Sequence, residues 1–360
     1  MNQIKRKIDL SIFSNLPSGG GNRVEKVTNR LLSEKYNISS YKPKKKKFSN
    51  FLDYYFYCLF QLPKIHHTIA KKINNSDSKI VIAHHDYLTK APYILSYLNK
   101  PSIYICHEEP REFYGDKKFL STSIKYKLIN MLRYPFKFID KKNASQSTTL
   151  VANSYFSKSK LKKIYKKSVS VIYPGVDTST FYPLNIKKEK QFLTVGSTSI
   201  FKGIDFIIEA ISNLPKKYQY KLIIIGNYGR DWDYIKRYAK IKNVEIEVLN
   251  NINDKKINEE YNKSQLLLAA ARNEPFGLSL VESLTTGTKV VCTNEGGYPE
   301  IISNKEYGIC TKRNVQDYTN AIINCLQSKT QSKKMVKQIS KEYSWSNFIN
   351  ELDKIITSLT

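Results

Sequence analysis

In the stretch RNEPFGLSLVESLTTGTKVV, residues 272–291, Glu274 stands just before a helical pattern and Glu282 lies inside it. Pro275 marks the start of that helix and Gly287 its close. The backbone N–H groups of Phe276, Gly277 and Leu278 would then lack partners in the first turn, which suits them to a diphosphate. Glu274, outside that turn, would accept hydrogen bonds from hydroxyls. Glu282 falls beyond Gly277 by about 7 Å along a helix axis. One carboxylate can thus reach each end of a nucleotide diphosphate sugar. A capped helix with a solvated face has the same spacing.

Two further turns have residue types that hold phosphate. In VGSTSIFKGIDF (195–206) a strand gives way to Gly196, Ser197 and a polar loop, and then Lys202-Gly203 before a helix. A lysine beside a helix start can act as a point charge on phosphate, or simply be solvated. In NLPSGGGNR (15–23) three glycines separate a strand from a helix. They permit close backbone approach to a ligand, or only a tight turn. The run is not a GxGxxG, so it carries little weight for a dinucleotide.

These turns need a scaffold, and the apolar pattern supplies one. Strand-length runs occur at 8–14, 79–84, 102–107, 148–153 and 169–174, and again at 191–196, 220–226, 244–249, 265–270, 289–293 and 307–311. Amphipathic segments such as 22–32, 204–214 and 318–326 lie between them. Continuous Val/Ile/Leu strands alternating with helices predict parallel sheets covered on both faces, an α/β class. In such sheets ligands sit at the carboxyl ends of the strands. The segment YPGVDTSTFYP (173–183) interrupts both periods, so two Rossmann-like domains are expected.

The 360 residues carry a net charge of +28. Residues 1–180 hold 33 Lys and Arg against 12 Asp and Glu (+21), and residues 181–360 hold 26 against 19 (+7). The first half therefore calls for an anionic partner: phospholipid, a phosphorylated substrate or nucleic acid. No apolar run reaches the ~18–20 residues of a membrane span, and the N-terminus does not read as a signal peptide. A soluble, cytoplasmic chain is expected. The five cysteines lack CxxC spacing and read as buried thiols in a reducing compartment. The adjacent pairs His66-His67 and His84-His85 do not share an element face, and no metal site is expected.

The motifs GGGNRV (19–24), HEEPREFY (107–114), VANSYFSKSKL (151–161), YPGVDTSTFYP, VGSTSIFKGID, NEPFGLSLVESLTTGTKVV, EGGYPEII (295–302) and YSWSNF (343–348) run in one order over nearly the whole chain. Together they resemble the retaining glycosyltransferases of family 4. That resemblance implies a GT-B fold, two Rossmann-like parallel-sheet domains facing across a cleft. It implies an acceptor domain over 1–175, a donor domain over 176–342, and a final helix, 343–360, packing back on the first. It implies a hexosyltransferase moving a mannose- or glucose-type unit from GDP-mannose or a UDP-hexose to a glycan or lipid-linked acceptor. Transfer would use a same-face mechanism, with no cofactor or metal. It assigns Glu274 to the donor-sugar hydroxyls and Glu282 to the ribose. It gives Phe276, Gly277 and Leu278 to the diphosphate or sugar, Lys202 to the diphosphate and His107 to the donor sugar. Gly20, Gly21 and Gly196 would line the pocket. Ser197 stands where the family usually has arginine, which halves an expected cationic pair; Arg272 is one substitute.

The first half also holds KPKKKKFSNFLDYYFYCLFQL (42–62), and residues 117–142 repeat its mix of lysine and aromatics. Polybasic segments beside exposed aromatics favour anionic bilayers, whereas buried aromatics with solvated lysines would not. The expectation is a peripheral enzyme on the inner membrane face. Two rivals are a sugar-nucleotide epimerase of the same fold and a basic nucleic-acid-binding protein. No RNA-binding signature accompanies the charge, so nucleic acid is not expected.

Overall fold

The computed structural model describes residues 7–16, 20–115, 129, 131–302, 306–328 and 332–360. Gly19 and most of 117–130 therefore lie outside the described residues. The chain divides into two compact units, Met1–Tyr173 with Ser346–Thr360, and Pro174–Trp345.

The first unit is built on a six-stranded parallel sheet. Its strands are β1 (Asp9–Asn15), β2 (Asn37–Tyr41), β3 (Ile80–Asp86), β4 (Ser102–Cys106), β5 (Thr149–Ala152) and β6 (Val169–Val171), in the spatial order β2-β1-β3-β4-β5-β6. The centre is continuous and buried, because β3 and β4 have helices on both faces and can carry apolar residues at every position. β2 was not foreseen: NISSY is polar and half exposed, as an edge strand tolerates. The final helix, Trp345–Leu359, runs into this unit, where Asp353 accepts hydrogen bonds from Tyr36 Oη at 2.5 Å and Lys35 Nζ at 3.1 Å.

The second unit repeats the plan. β7 (Gln191–Val195), β8 (Lys221–Ile225), β9 (Ile246–Leu249), β10 (Leu266–Ala269), β11 (Val290–Thr293) and β12 (Gly308–Thr311) lie in the order β12-β11-β10-β7-β8-β9. Read from β9, this is the doubly wound order, and it reverses direction between β7 and β10. Phe192, Ile207, Ile208, Leu222, Ile224, Leu268 and Tyr318 form its core. In the first sheet the reversal falls between β1 and β3. Loops leaving strands beside a reversal diverge to opposite faces and leave a crevice, so these two places are where each sheet can receive a ligand.

The aromatic stretch 42–62 divides between core and surface. Tyr57, Cys58 and Leu62 are buried against Tyr93 and Phe136, while Leu52, Phe56 and Phe60 are exposed. The cause is local: helix Phe51–Phe56 continues as a π-helical turn, Tyr57–Gln61, before helix Leu62–Asn74. That wider turn shifts which residues face inward. Among the lysines, Lys42 pairs with Glu25 at 2.9 Å and Lys46 with Asp53 at 2.7 Å, whereas Lys44, Lys45 and Lys47 are exposed. Helix Tyr134–Gln146 meets this region through Phe136, which lies edge-on to Tyr55 at 5.6 Å, and it exposes Tyr134 and Phe138. All five cysteines are free thiols, and all but Cys310 are buried.

Candidate active site

The second unit gathers its candidates at the reversal. Lys202 follows β7 and Glu274 follows β10, its neighbour in the sheet, so residues 72 apart in sequence meet. Lys202 Nζ donates to Glu274 Oε2 at 2.8 Å, and both side chains remain part exposed. The loop that holds Lys202 is braced by Asp231, whose Oδ2 accepts from Ile200 N at 3.0 Å and Ser199 Oγ at 3.2 Å. Lys202 runs its aliphatic stem over Gly196, where a Cβ would lie 3.0 Å from Lys202 Cγ and Cδ. A side chain at 196 would displace the lysine. Ser197 is exposed at the end of β7 and brings no charge. Arg272 is tied by its backbone N–H to Phe201 O at 2.8 Å, and its charge acts on the Asp205 carboxyl, lowering a pKa that burial raises.

The helix after Glu274 starts later than the sequence pattern indicates. It spans Leu278–Thr285 with Gly277 as its N-cap, at φ 118°. That left-handed value cannot continue a helix backwards through Phe276, so Phe276 is not a first-turn donor. Phe276 is buried, its ring centroid 5.7 Å from that of Tyr343. It anchors the loop. The first turn has neither a side-chain cap nor an acidic residue, so its amide dipoles are not offset by a carboxylate of their own turn.

The same loop is backed by residues 295–297. Gly296, at φ 68°, places its Cα so close that a Cβ would fall 2.2 Å from Glu274 O, and Gly297 N donates to that oxygen at 2.8 Å. Arg313 clamps the backing loop, with Nε and Nη2 donating to the two oxygens of Glu295 at 2.7 Å each, and Nη2 also to Ala270 O at 2.7 Å. Glu282 is buried, and its Oε2 accepts from Tyr261 Oη at 2.8 Å. Asp231, Arg313 and Tyr261 were missed by sequence reasoning because each acts on a residue distant in sequence.

In the first unit Gly20 and Gly21 open helix Gly20–Leu32 beside the other reversal. A Cβ on Gly21 would come within 3.3 Å of the His107 ring. His107 follows β4 and is partly exposed; Asn153 Nδ2 fixes its carbonyl oxygen at 3.0 Å. Burial pulls its pKa down to about 4, and the charge of Lys90 acts the same way. His84 and His85 also lie against it, so the adjacent pair does converge on one place, contrary to the expectation from strand alternation. They stand at the carboxyl end of β3, beside the strand that leads into His107. Among the described residues, no group of three or more His, Cys, Asp or Glu is arranged to hold a metal ion. Below them Asp86, pushed up to about 6 by burial, accepts from Asn15 Nδ2 at 2.6 Å and Leu88 N at 2.7 Å.

Comparison with known proteins agrees with the two-sheet architecture. The profile of the family described as "Glycosyl transferases group 1" matches residues 177–342. An uncharacterised glycosyltransferase of Methanocaldococcus jannaschii is 27% identical over 239 residues, 63% of each chain, so the match spans less than two thirds of that relative. Among solved structures, sucrose-phosphate synthase from Thermosynechococcus elongatus is similar at a TM-score of 0.78 and 14% identity, over 98% of this chain and 99% of that one. HepE of Anabaena, solved in complex with UDP and glucose, is similar at 0.72 and 15% identity, over 98% and 100%. The chain thus has the two-sheet α/β architecture of GT-B glycosyltransferase structures, and its residues 177–342 form a glycosyl transferases group 1 domain.

Proposed function

We propose that the chain is a retaining, metal-independent glycosyltransferase. It moves a mannose- or glucose-type hexosyl unit from a nucleotide diphosphate sugar to a glycan or lipid-linked acceptor. The Lys202–Glu274 pair carries this reading: a cation and a carboxylate held 2.8 Å apart beside an uncapped helix start, within the group 1 domain. A diphosphate needs the first and the helix amides; sugar hydroxyls need the second. The UDP and glucose held by HepE support a donor of this class.

In the proposed reaction the bond from C1 to the diphosphate oxygen breaks, its electron pair leaving with the diphosphate. The acceptor oxygen bonds to C1 on the same face, and its proton passes to the departing diphosphate. Lys202 and the helix dipole meet the developing charge. Glu274 orients hydroxyls of the sugar, and Glu282, steadied by Tyr261, takes the ribose. Gly277 and Leu278 supply backbone to the phosphates. Gly196, Gly20 and Gly21 leave room for close approach, and His107 meets a sugar hydroxyl. A thermal-shift panel of GDP-mannose and UDP-hexoses tests the donor. One of them should raise the melting temperature as a ligand of the folded state does, and mass spectrometry should then find a glycosylated product. No shift from any nucleotide sugar, with no product, would remove the reading.

The acceptor is proposed to lie at an anionic bilayer. Exposed Lys44, Lys45, Lys47, Lys141 and Lys142 share the first unit with exposed Leu52, Phe56, Phe60 and Phe138, a combination suited to a charged lipid surface. No helix among the described residues is long and apolar enough to cross a membrane, so attachment would be peripheral. Flotation with anionic vesicles should carry the protein upward at low salt and release it as salt rises. Absence of binding at low salt would refute the membrane role alone.

A further inference from the structure

His84 lies in β3 and His107 just past its neighbour β4, and the relation of their rings is specific. His84 Nδ1 lies 3.2 Å from His107 Nε2. The ring planes differ by 6° and the centroids stand 5.5 Å apart. That separation exceeds the N···N distance by the two centre-to-nitrogen radii, so the rings lie end to end in one plane rather than face to face. Each nitrogen therefore points along its own lone-pair or N–H axis at the other. Burial lowers the pKa of both rings, so at neutral pH each carries one proton. A single N–H···N hydrogen bond joins them.

The far side of His84 decides which ring donates. Its Nε2 is buried and has no hydrogen-bond partner among the described residues. A proton there would be an orphaned N–H in the interior, a rarer arrangement than an unpaired acceptor. The proton of His84 therefore sits on Nδ1 and is donated to His107 Nε2. His107, accepting at Nε2, must hold its own hydrogen on Nδ1. The ring has little room to escape this assignment. His85 packs edge-on at 5.3 Å between centroids, and Gly21 closes on the Cδ2 edge.

We propose that His84 is a positioning residue that locks His107 as its Nδ1–H tautomer, so that the nitrogen left for a sugar hydroxyl is a hydrogen-bond donor; this rests on His107 belonging to the site. An acceptor at that nitrogen would instead require the hydroxyl to donate, and would select a different hydroxyl orientation.

The chain has five histidines, few enough for single substitutions to assign every ring in a sample with isotope-labelled histidine. Two-bond nitrogen–proton NMR correlations on the ligand-free protein read the tautomer directly. We expect His107 as Nδ1–H in the native sequence and as Nε2–H in His84→Ala, where the vacated space admits a water that can accept from Nε2. It should be Nδ1–H again in His84→Asn, whose amide can restore a donor to Nε2. In the transfer assay His84→Ala should lower kcat about tenfold, the scale of one neutral hydrogen bond. The donor KM should stay nearly constant, and His84→Asn should recover most of the rate. His107 as Nε2–H in the native sequence would overturn the proposal without any variant. So would a tautomer unmoved by His84→Ala, or one that flips with no change in kcat. The tautomer is read without substrate, so this proposal fails separately from the transfer reading.

Discussion

Lys202→Ala is expected to lower kcat by about 10²–10³-fold, the range for removing one group that stabilises developing charge in an active site. The loss should be large because position 197, just past the end of the same strand, is a serine and brings no charge of its own. Stability should hardly change. The Lys202–Glu274 pair is part exposed, and such a pair contributes at most about 1 kcal/mol. Lys202→Arg should recover only part of the rate, since a planar fork does not replace a compact point charge on a flexible stem. Steady-state kinetics with the donor found in the thermal-shift panel, alongside a thermal melt, separate these effects. Undiminished transfer by Lys202→Ala would remove this lysine from the mechanism.

Gly296→Ala is expected to disable the same site from behind. At φ 68° an alanine is strained, and its Cβ would fall 2.2 Å from Glu274 O and 2.6 Å from Glu274 N. Neither contact can be relieved by rotating a side chain, because both partners are backbone. The variant should lose about 1–3 kcal/mol of stability and, in protein that still folds, the melting shift given by donor. Melts with and without donor read both effects. An unchanged melt with a full donor shift would mean that the 274 loop is free to move away, contrary to the close packing seen here.

The sequence made the second sheet and its ligand-bearing ends readable, because strands such as KLIII and LLLA are apolar after at most one leading lysine and are followed by Gly, Pro or Lys at the loops. The polar strand NISSY was not readable, since an edge position needs no apolar alternation. The helix start shifted from Phe276 to Leu278 because Gly277 adopts a φ of 118°, and a Cβ there would also meet the Tyr298 ring at 2.8 Å, a tertiary crowding that no local pattern encodes. His84 and His85 both meet the His107 ring because it follows the neighbouring strand β4, a tertiary contact that alternation along a single strand does not encode. The split of the aromatic stretch into Tyr57 inside and Phe56 outside was hidden by a π-helical turn, which breaks the 3.6-residue period used to assign faces.

The glycine contacts behind Glu274 and beside Lys202 have an evolutionary corollary. Gly226 presses on Gly196 O, where a Cβ would sit at 2.2 Å, just as Gly296 presses on Glu274 O. Main chain therefore rests on main chain at both loops, and neither has slack to change length or path. Under the proposed function, altered donor preference should arise by single side-chain exchanges at open positions such as Ser197. Grafting whole loops from relatives should yield misfolded protein.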